Sequence, residues 1–361
     1  MDPAQLEATI LGFGALLTES RDFHRDAHHN EVPDVFSEAM ALNYSLHRRL
    51  TIGSKRYVVA FVGLSNVGKS TLLDALLGNE LTPRRNSQCT SAPIEFERGR
   101  SLELRSVDGS SFLNPAPIPC KDVESVHEHL QRLATHGTSK RRLQKRAQKI
   151  TVSVPAPYME PLLDSGMVVA DTPGFGSAST DGSADADEAK LRDYIAREVA
   201  QVFWITLAEQ GITDREATFY NNNLKSLCDD IIVTGAEDWD LKDRTRFQDR
   251  FSEFVLGGRL TRRFHFVSGK LGLTARLNPN PAVRAKDLEE HGIAGLEKRL
   301  LEVSGSSRVV LIEEEFRALA FDLHRWLVQF QDSVGRPLKY RYAPDSLQRW
   351  RHTQCGNFNF T

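Results

Sequence analysis

Hydrophobic residues recur every three or four positions at the start of the chain. Leu6, Ile10, Phe13 and Leu17 fall on one face of a helix. Asn30 to Pro33 interrupt it, and a second helix to about Leu50 has Phe36, Met40 and Leu46 available for burial. After a break at Thr51 to Ser54 the period changes. "RYVVAFVG" is a short, continuous apolar run rich in β-branched residues, which predicts a buried strand. "KSTLLDALLG" predicts a helix stopping at Gly78. Four further runs, "MVVADTPG", "QVFWIT", "DIIVTG" and "FHFVSG", read as buried strands, with helical stretches at 186–199, 214–227 and 240–256 between most of them. Strands alternating with helices predict an α/β domain with a mostly parallel sheet flanked by helices. Residues 286–331 return to helical spacing, and Ile312, Phe316, Leu319, Leu323, Leu327 and Phe330 form an apolar stripe. Helices at both termini with apolar stripes predict a bundle built from the two ends.

Composition narrows the class. With 361 residues, the prior of about 150 per domain predicts two or so. A net charge of −2 gives no sign of a protein saturated with nucleic acid. Cys89, Cys120, Cys228 and Cys355 lie far apart without paired spacing, which argues against a zinc site or disulfide framework and suits a reducing compartment. The first residues are acidic and lack the basic start of a signal peptide. No apolar run reaches the roughly 18 residues of a membrane-spanning helix. A cytoplasmic location is expected, with any membrane contact peripheral.

The chemistry begins where β-type and helical periods meet. "GLSNVGKST" contains Gly63, Ser65, Asn66, Val67, Gly68, Lys69, Ser70 and Thr71 in the pattern GxxxxGK[ST]. Glycines let the backbone curl so that N–H groups point at phosphate oxygens, and the following helix adds its positive end. Lys69 would reach the terminal phosphates and the Ser70 hydroxyl would ligate Mg²⁺. A second signal ends a later strand: Asp171 can hold Mg²⁺ through water, and the Gly174 N–H can donate to the terminal phosphate. Between them, in "LTPRRNSQCTSAPIEFERG", Thr90 is the choice for a hydroxyl reaching Mg²⁺ when the terminal phosphate is present, with Ser91 its rival.

Taken together, "GLSNVGKSTLLDALLG", "CTSAP" followed by a strand and Gly99, and "ITVSVPAPYMEPLLDSGMVVADTPGFGS" resemble the GTPase domain of dynamin-like proteins, bacterial ones in particular. The "NVGKST" wording is closer to potassium-activated ribosome-assembly GTPases. The resemblance covers about residues 55–275. It implies GTP as substrate, Mg²⁺ as cofactor and self-association across the nucleotide face. It also implies that Asn66 could hold K⁺ between the phosphates, since Phe175 stands where Ras-like enzymes carry a water-orienting glutamine.

The base reader departs from the family. A guanine site uses [NT]KxD, whereas "DIIVTGAEDWD" offers Thr234, then Gly235 in place of lysine, then Glu237 by strict spacing or Asp238 with one extra residue. "TGAED" as a plain strand-end turn is the alternative. The last base-contact loop keeps Ser268, Gly269 and Lys270, and Lys270 could partly cover the base.

Other features carry weaker signals. Residues 176–188 read as a mobile switch or a solvated loop. Lys140, Arg141, Arg142, Lys145, Arg146 and Lys149 could bind RNA or acidic lipid, though a solvated face fits better. His24 and His28 have metal-compatible spacing without a third ligand, and Tyr340, Tyr342 and Trp350 could meet a membrane interface. The expected organisation is N-terminal helices at 1–54, a GTPase domain at 55–275 and C-terminal helices at 276–361. The expected activity is Mg²⁺-dependent GTP hydrolysis. The alternatives are a non-hydrolysing nucleotide switch and an RNA- or ribosome-associated GTPase.

Overall fold

A computed structural model describes residues 2–27, 34–51, 56–82, 92–108, 116–134, 147–155, 161–175, 183–224, 227–228, 230–254, 263–305 and 308–333. The chain divides into a helical unit, from residues 1–51 and 309 onward, and an α/β unit, from 52–257 and 261–308.

The helical unit contains α1 (Pro3–Ala27), α2 (Asp34–Thr51) and most of a long helix that begins at Arg308 and ends at Ser333. The stripes expected from spacing meet here. Leu6, Ile10, Phe13 and Leu17 share one core with Phe36, Leu46, Ile312, Phe316, Leu319 and Leu323. Phe13 meets Phe316 edge to face at 5.3 Å between ring centres. Two polar contacts fix the register. The Asn43 amide donates to the Ile10 carbonyl at 3.0 Å, and the buried Arg49 guanidinium pairs with Glu315. Leu327 and Phe330 of the expected stripe lie outside the described side chains.

The α/β unit runs β1 (Tyr57–Gly63), α3 (Lys69–Leu77), β2 (Ile94–Arg98), β3 (Glu103–Asp108), β4 (Ile118–Pro119), α4 (Val123–Ala134), β5 (Ala147–Val154), β6 (Met167–Asp171), α5 (Ser183–Glu198) and β7 (Gln201–Leu207). It continues with α6 (Asp214–Phe219), β8 (Asp230–Thr234), α7 (Leu241–Phe254), β9 (Arg263–Val267), α8 (Gly269–Arg276), α9 (Pro281–Glu290) and α10 (Ile293–Ser304), before the long helix, α11. Nine strands form one sheet in the order β4-β3-β5-β2-β6-β1-β7-β8-β9. Strands β6-β1-β7-β8-β9 are parallel, and β2 joins β6 antiparallel, with Ile94 opposite Asp171. The α/β class and the helical bundle both agree with the sequence expectation. β3, β4 and β5 were not expected; β4 has only two residues, and polar residues fill half or more of β3 and β5, so their pattern does not stand out from a loop.

Strand β1 is buried along its whole length, as a strand covered on both faces must be. Val58, Ala60 and Val62 enter a core with α5, β7 and the α6 region, and Phe61 on the other face stacks with Phe203 at 5.7 Å.

The expected boundary near residue 275 differs from the structure, where the α/β unit extends to 308. The cause is specific pairing. Arg299 of α10 grips the buried Asp230 of β8 with two hydrogen bonds of 3.0 and 3.1 Å. Arg276 of α8 pairs with Glu297 and donates to the Ala75 carbonyl at 3.0 Å. Helices α9 and α10 therefore belong to the α/β unit.

Candidate functional site

The loop from β1 to α3 is shaped by positions that only small residues can fill. A Cβ at Gly63 would lie 2.2 Å from the Ile205 carbonyl oxygen. Asn66 and Gly68 both have positive φ, 65° and 86°, so the chain curls twice before the helix starts. Val67 is buried between them as the anchor, and the Asn66 and Ser65 side chains stay at least partly exposed. No side chain caps the start of α3, so its first N–H groups face the loop hollow, a setting suited to an anion.

Lys69 is 7% exposed. Its ammonium donates to the Gly63 and Leu64 carbonyls at 3.1 and 2.6 Å. Burial pulls its pKa down to about 8, against the opposing pull of Asp171. The charge sits inside the loop, held by carbonyls that a phosphate can replace as partner.

Next to it, the Ser70 hydroxyl donates to Asp171 Oδ2 at 2.7 Å. Asp171 is 1% exposed, and its Oδ1 has no hydrogen-bond partner among the described residues. Burial pushes this carboxyl up, while Lys69 and Ser70 pull it down. An orphaned buried carboxylate oxygen beside a hydroxyl is a hard-oxygen donor set that fits Mg²⁺, directly or through water. No cluster of three or more His, Cys, Asp or Glu that could hold a metal occurs among the described residues. The remaining ligands of such an ion would come from hydroxyls, water and phosphate.

The strand end after Asp171 is locked onto the loop. Thr172 donates to the Phe61 carbonyl at 2.7 Å, a brace the sequence reading missed. A Cβ at Gly174 would lie 2.5 to 2.7 Å from the Ser65 side chain and backbone, so the two loops touch where only glycine fits. Phe175 pairs with Leu64 in a short parallel bridge. Its ring is buried, stacked at 4.4 Å on Phe219 and 5.3 Å from Trp204. It is a core residue, with no polar atom to orient water.

The base-side loops leave the next strands. The Thr234 hydroxyl is taken up by the loop: it donates to the Val67 carbonyl at 2.7 Å and lies 3.3 Å from the Thr206 carbonyl. Thr234 braces the phosphate loop. Gly235 has φ of 72°, and a Cβ there would come within 2.9 Å of Leu207, which gives a backbone reason for glycine where the family pattern has lysine. Glu237 and Asp238 are both exposed. Ser268 caps α8, accepting from the Leu271 N–H at 3.3 Å. Gly269 lies against α3, where a Cβ would stand 3.0 Å from the Leu72 nitrogen, and Lys270 is exposed.

These loops all leave the carboxyl ends of neighbouring parallel strands, where open α/β sheets bind ligands. Thus Gly63 to Thr71, Asp171 and Gly174 come together around one hollow, flanked by Thr234 and the Ser268–Lys270 turn. Thr90 and its rival Ser91, most of the 176–188 loop, the basic residues 140–146, His28, Tyr340, Tyr342 and Trp350 lie outside the described residues, as does the His24 side chain. Lys149, the last of the basic run, is already engaged: its ammonium lies 3.1 Å from Glu198 and 3.6 Å from Glu95. No helix among the described residues is long and apolar enough to cross a membrane.

Residues 59–234 match the dynamin family. No curated protein matches the chain. Among solved structures, an oligomerised bacterial dynamin pair, described as a mechanism for long-range sensing and tethering of membranes, is 17% identical with a TM-score of 0.48, covering 95% of this chain and 51% of its own. Era from Aquifex aeolicus, bound to GDP and aluminium fluoride, is 16% identical over 59% of this chain and 51% of its own, with a TM-score of 0.33. Era with MgGDPNP and a piece of 16S ribosomal RNA is also 16% identical, with a TM-score of 0.34. The chain thus spans about half the length of these structures. The phosphate loop, the DTPG strand end and the Thr234 brace all lie within residues 59–234, the segment that matches the dynamin family.

Proposed function

We propose that this chain binds GTP and hydrolyses it with Mg²⁺, and that self-association across the nucleotide face activates it. One observation carries the reading: Lys69, the Ser70–Asp171 pair and Gly174 converge on the loop from β1 to α3, beside a buried Asp171 Oδ1 with no hydrogen-bond partner among the described residues. Ser70, Asp171 and, by sequence, Thr90 would hold the Mg²⁺. The bound ion would neutralise phosphate charge. The loop N–H groups and Lys69 would meet the β- and γ-phosphate oxygens. A water oxygen attacks the γ-phosphorus, the bond to the β–γ bridging oxygen breaks, and GDP, phosphate and a proton leave.

Asn66, exposed at the loop's first left-handed position, is the residue proposed to hold K⁺ against the phosphates. Glu237 or Asp238 would take the guanine edge, and Lys270 would lie over the base. Thr234 acts through the loop it braces. The bundle is proposed to carry nucleotide-dependent motion, with peripheral membrane contact and a cytoplasmic location, as the family resemblance implies. The RNA-associated alternative gains nothing from Lys149, whose charge is already paired.

A second reading has an observation of its own. Phe175 is in the core where a water-orienting side chain would stand, which favours a switch that binds nucleotide without turning it over. Phosphate release from GTP across a range of protein concentrations, in potassium and in sodium, separates the two. Turnover per molecule that rises with concentration supports the self-activated GTPase, and a potassium requirement implicates Asn66. Bound GTP that stays intact under every condition leaves the switch.

A further inference from the structure

Helix α6 has no role in the reading above, yet it holds the residue next to Gly174. It starts at a complete capping box: the Thr213 hydroxyl accepts from the Glu216 N–H at 3.3 Å, and the Glu216 carboxylate accepts from the Thr213 N–H at 2.9 Å. The helix then widens into a π turn at Tyr220–Leu224, in which carbonyls pair with the fifth residue on instead of the fourth. At the start of that turn the Asn223 side-chain amide donates to the Phe219 carbonyl at 2.9 Å. Phe219 and Tyr220 are neighbours in sequence, and both are buried in one core. The Phe219 ring stacks on Phe175 at 4.4 Å with the planes 15° apart. Tyr220 meets Trp204 edge to face at 5.7 Å, and its hydroxyl donates to the Cys228 carbonyl at 2.6 Å.

The geometry points to Phe219 as a positioning residue for the terminal phosphate, acting through Phe175 on the Gly174 N–H; this rests on the GTP reading proposed above. Gly174 has no side chain of its own to hold it, so its place is set by what holds its neighbours. On one side Thr172 is bonded to the Phe61 carbonyl. On the other, the Phe175 backbone is bridged to Leu64 of the phosphate loop, and its ring is held by Phe219. A donor aimed at a phosphate oxygen has to be kept within about 0.5 Å of its productive place by packed neighbours. GDP lacks the phosphate that Gly174 would meet, so a displaced Gly174 weakens the triphosphate state and spares the diphosphate state. A plain core defect would instead lower stability and affect both nucleotides alike.

Three variants of the whole chain separate these cases. Phe219→Leu keeps an apolar side chain in the core and removes the stacked ring. Asn223→Ala keeps every ring and removes the amide at the start of the π turn. Phe251→Leu makes the same exchange as the first in the same core, but on the far side of Tyr220, 6.1 Å from that ring. Each is measured for thermal melting, for affinity toward GDP and toward a non-hydrolysable GTP analogue with Mg²⁺, and for kcat and KM with GTP. For Phe219→Leu the expected result is analogue affinity and kcat about tenfold lower, with GDP affinity held within about twofold. Asn223→Ala moves the same way to a smaller extent. Phe251→Leu lowers the melting temperature without separating the two nucleotides. Should Phe219→Leu fail to fold, the contrast between Asn223→Ala and Phe251→Leu decides; if the wild type binds both nucleotides without turnover, the affinities decide. Parallel losses of GDP and analogue affinity in Phe219→Leu, no change in either, or the same contrast in Phe251→Leu would overturn the inference. A wild-type protein that binds neither nucleotide overturns the GTP reading instead, and is seen before any variant is made.

Discussion

Gly174 is the residue on which contact between the phosphate loop and the DTPG strand end turns. Its missing Cβ leaves room for Ser65, which would otherwise be met at 2.5 Å. Gly174→Ala should push the two loops apart by a fraction of an ångström and lower GTP turnover by about a hundredfold while the protein still folds; phosphate release alongside a thermal melt checks both parts. Ser70→Ala removes the donor to Asp171 and should raise the Mg²⁺ concentration needed for half-maximal turnover, measured by magnesium titration. At this scale much of the site was legible. Spacing alone placed the turn, because Gly68 takes the left-handed backbone that the GKS pattern calls for and Ser70 follows it onto Asp171. What spacing could not convey was where a hydroxyl points. Thr234 read as a base contact, yet its proton goes to the Val67 carbonyl. Gly235 read as a lost lysine, and the structure gives it a positive φ.

Among elements, the β6-to-α6 coupling and the α10 clamp make separable predictions. Phe175 stacks on Phe219 and contacts Trp204, so Phe175→Ala should cost about 3 to 5 kcal/mol of stability in denaturant unfolding. Phe175→Gln, which places the Ras-like residue at this position, should destabilise the protein without raising turnover, because the side chain enters the core. The clamp is electrostatic. Burial alone would raise the Asp230 carboxyl, but hydrogen bonds from His265 and Arg299 outweigh it and hold it below its ordinary value of 3.8. A depressed carboxyl contributes stability above its unfolded value and loses it as pH falls through the folded one. Asp230→Asn should therefore cost about 3 kcal/mol near neutral pH, leaving Arg299 buried beside a neutral partner, and the gap from wild type should narrow below about pH 4; urea unfolding at stepped pH checks it. Neither coupling was legible. The strands announced themselves by apolar runs, but which helix closes on which strand depends on partners far apart in sequence, such as Asp230 and Arg299. The same cause moved the boundary from 275 to 308.

For the whole molecule, the sequence conveyed the plan, an α/β unit with a bundle from both ends, because amphipathic stripes at Leu6–Leu17 and Ile312–Leu323 have no other use than to meet. β3 and the edge strand β4 escaped it because β3 is mostly polar and β4 has only two residues, so neither pattern rises above a loop. What the plan is for rests on the proposal that the loop at residues 63–71, with Asp171 and Gly174, serves magnesium-dependent hydrolysis of guanosine triphosphate. The direct measurement is phosphate release by the purified chain from GTP and from ATP, with and without Mg²⁺, beside Lys69→Ala. The account predicts release from GTP that requires Mg²⁺, exceeds release from ATP and vanishes in Lys69→Ala. Release that persists in Lys69→Ala, or no release from GTP at any magnesium concentration, would contradict it.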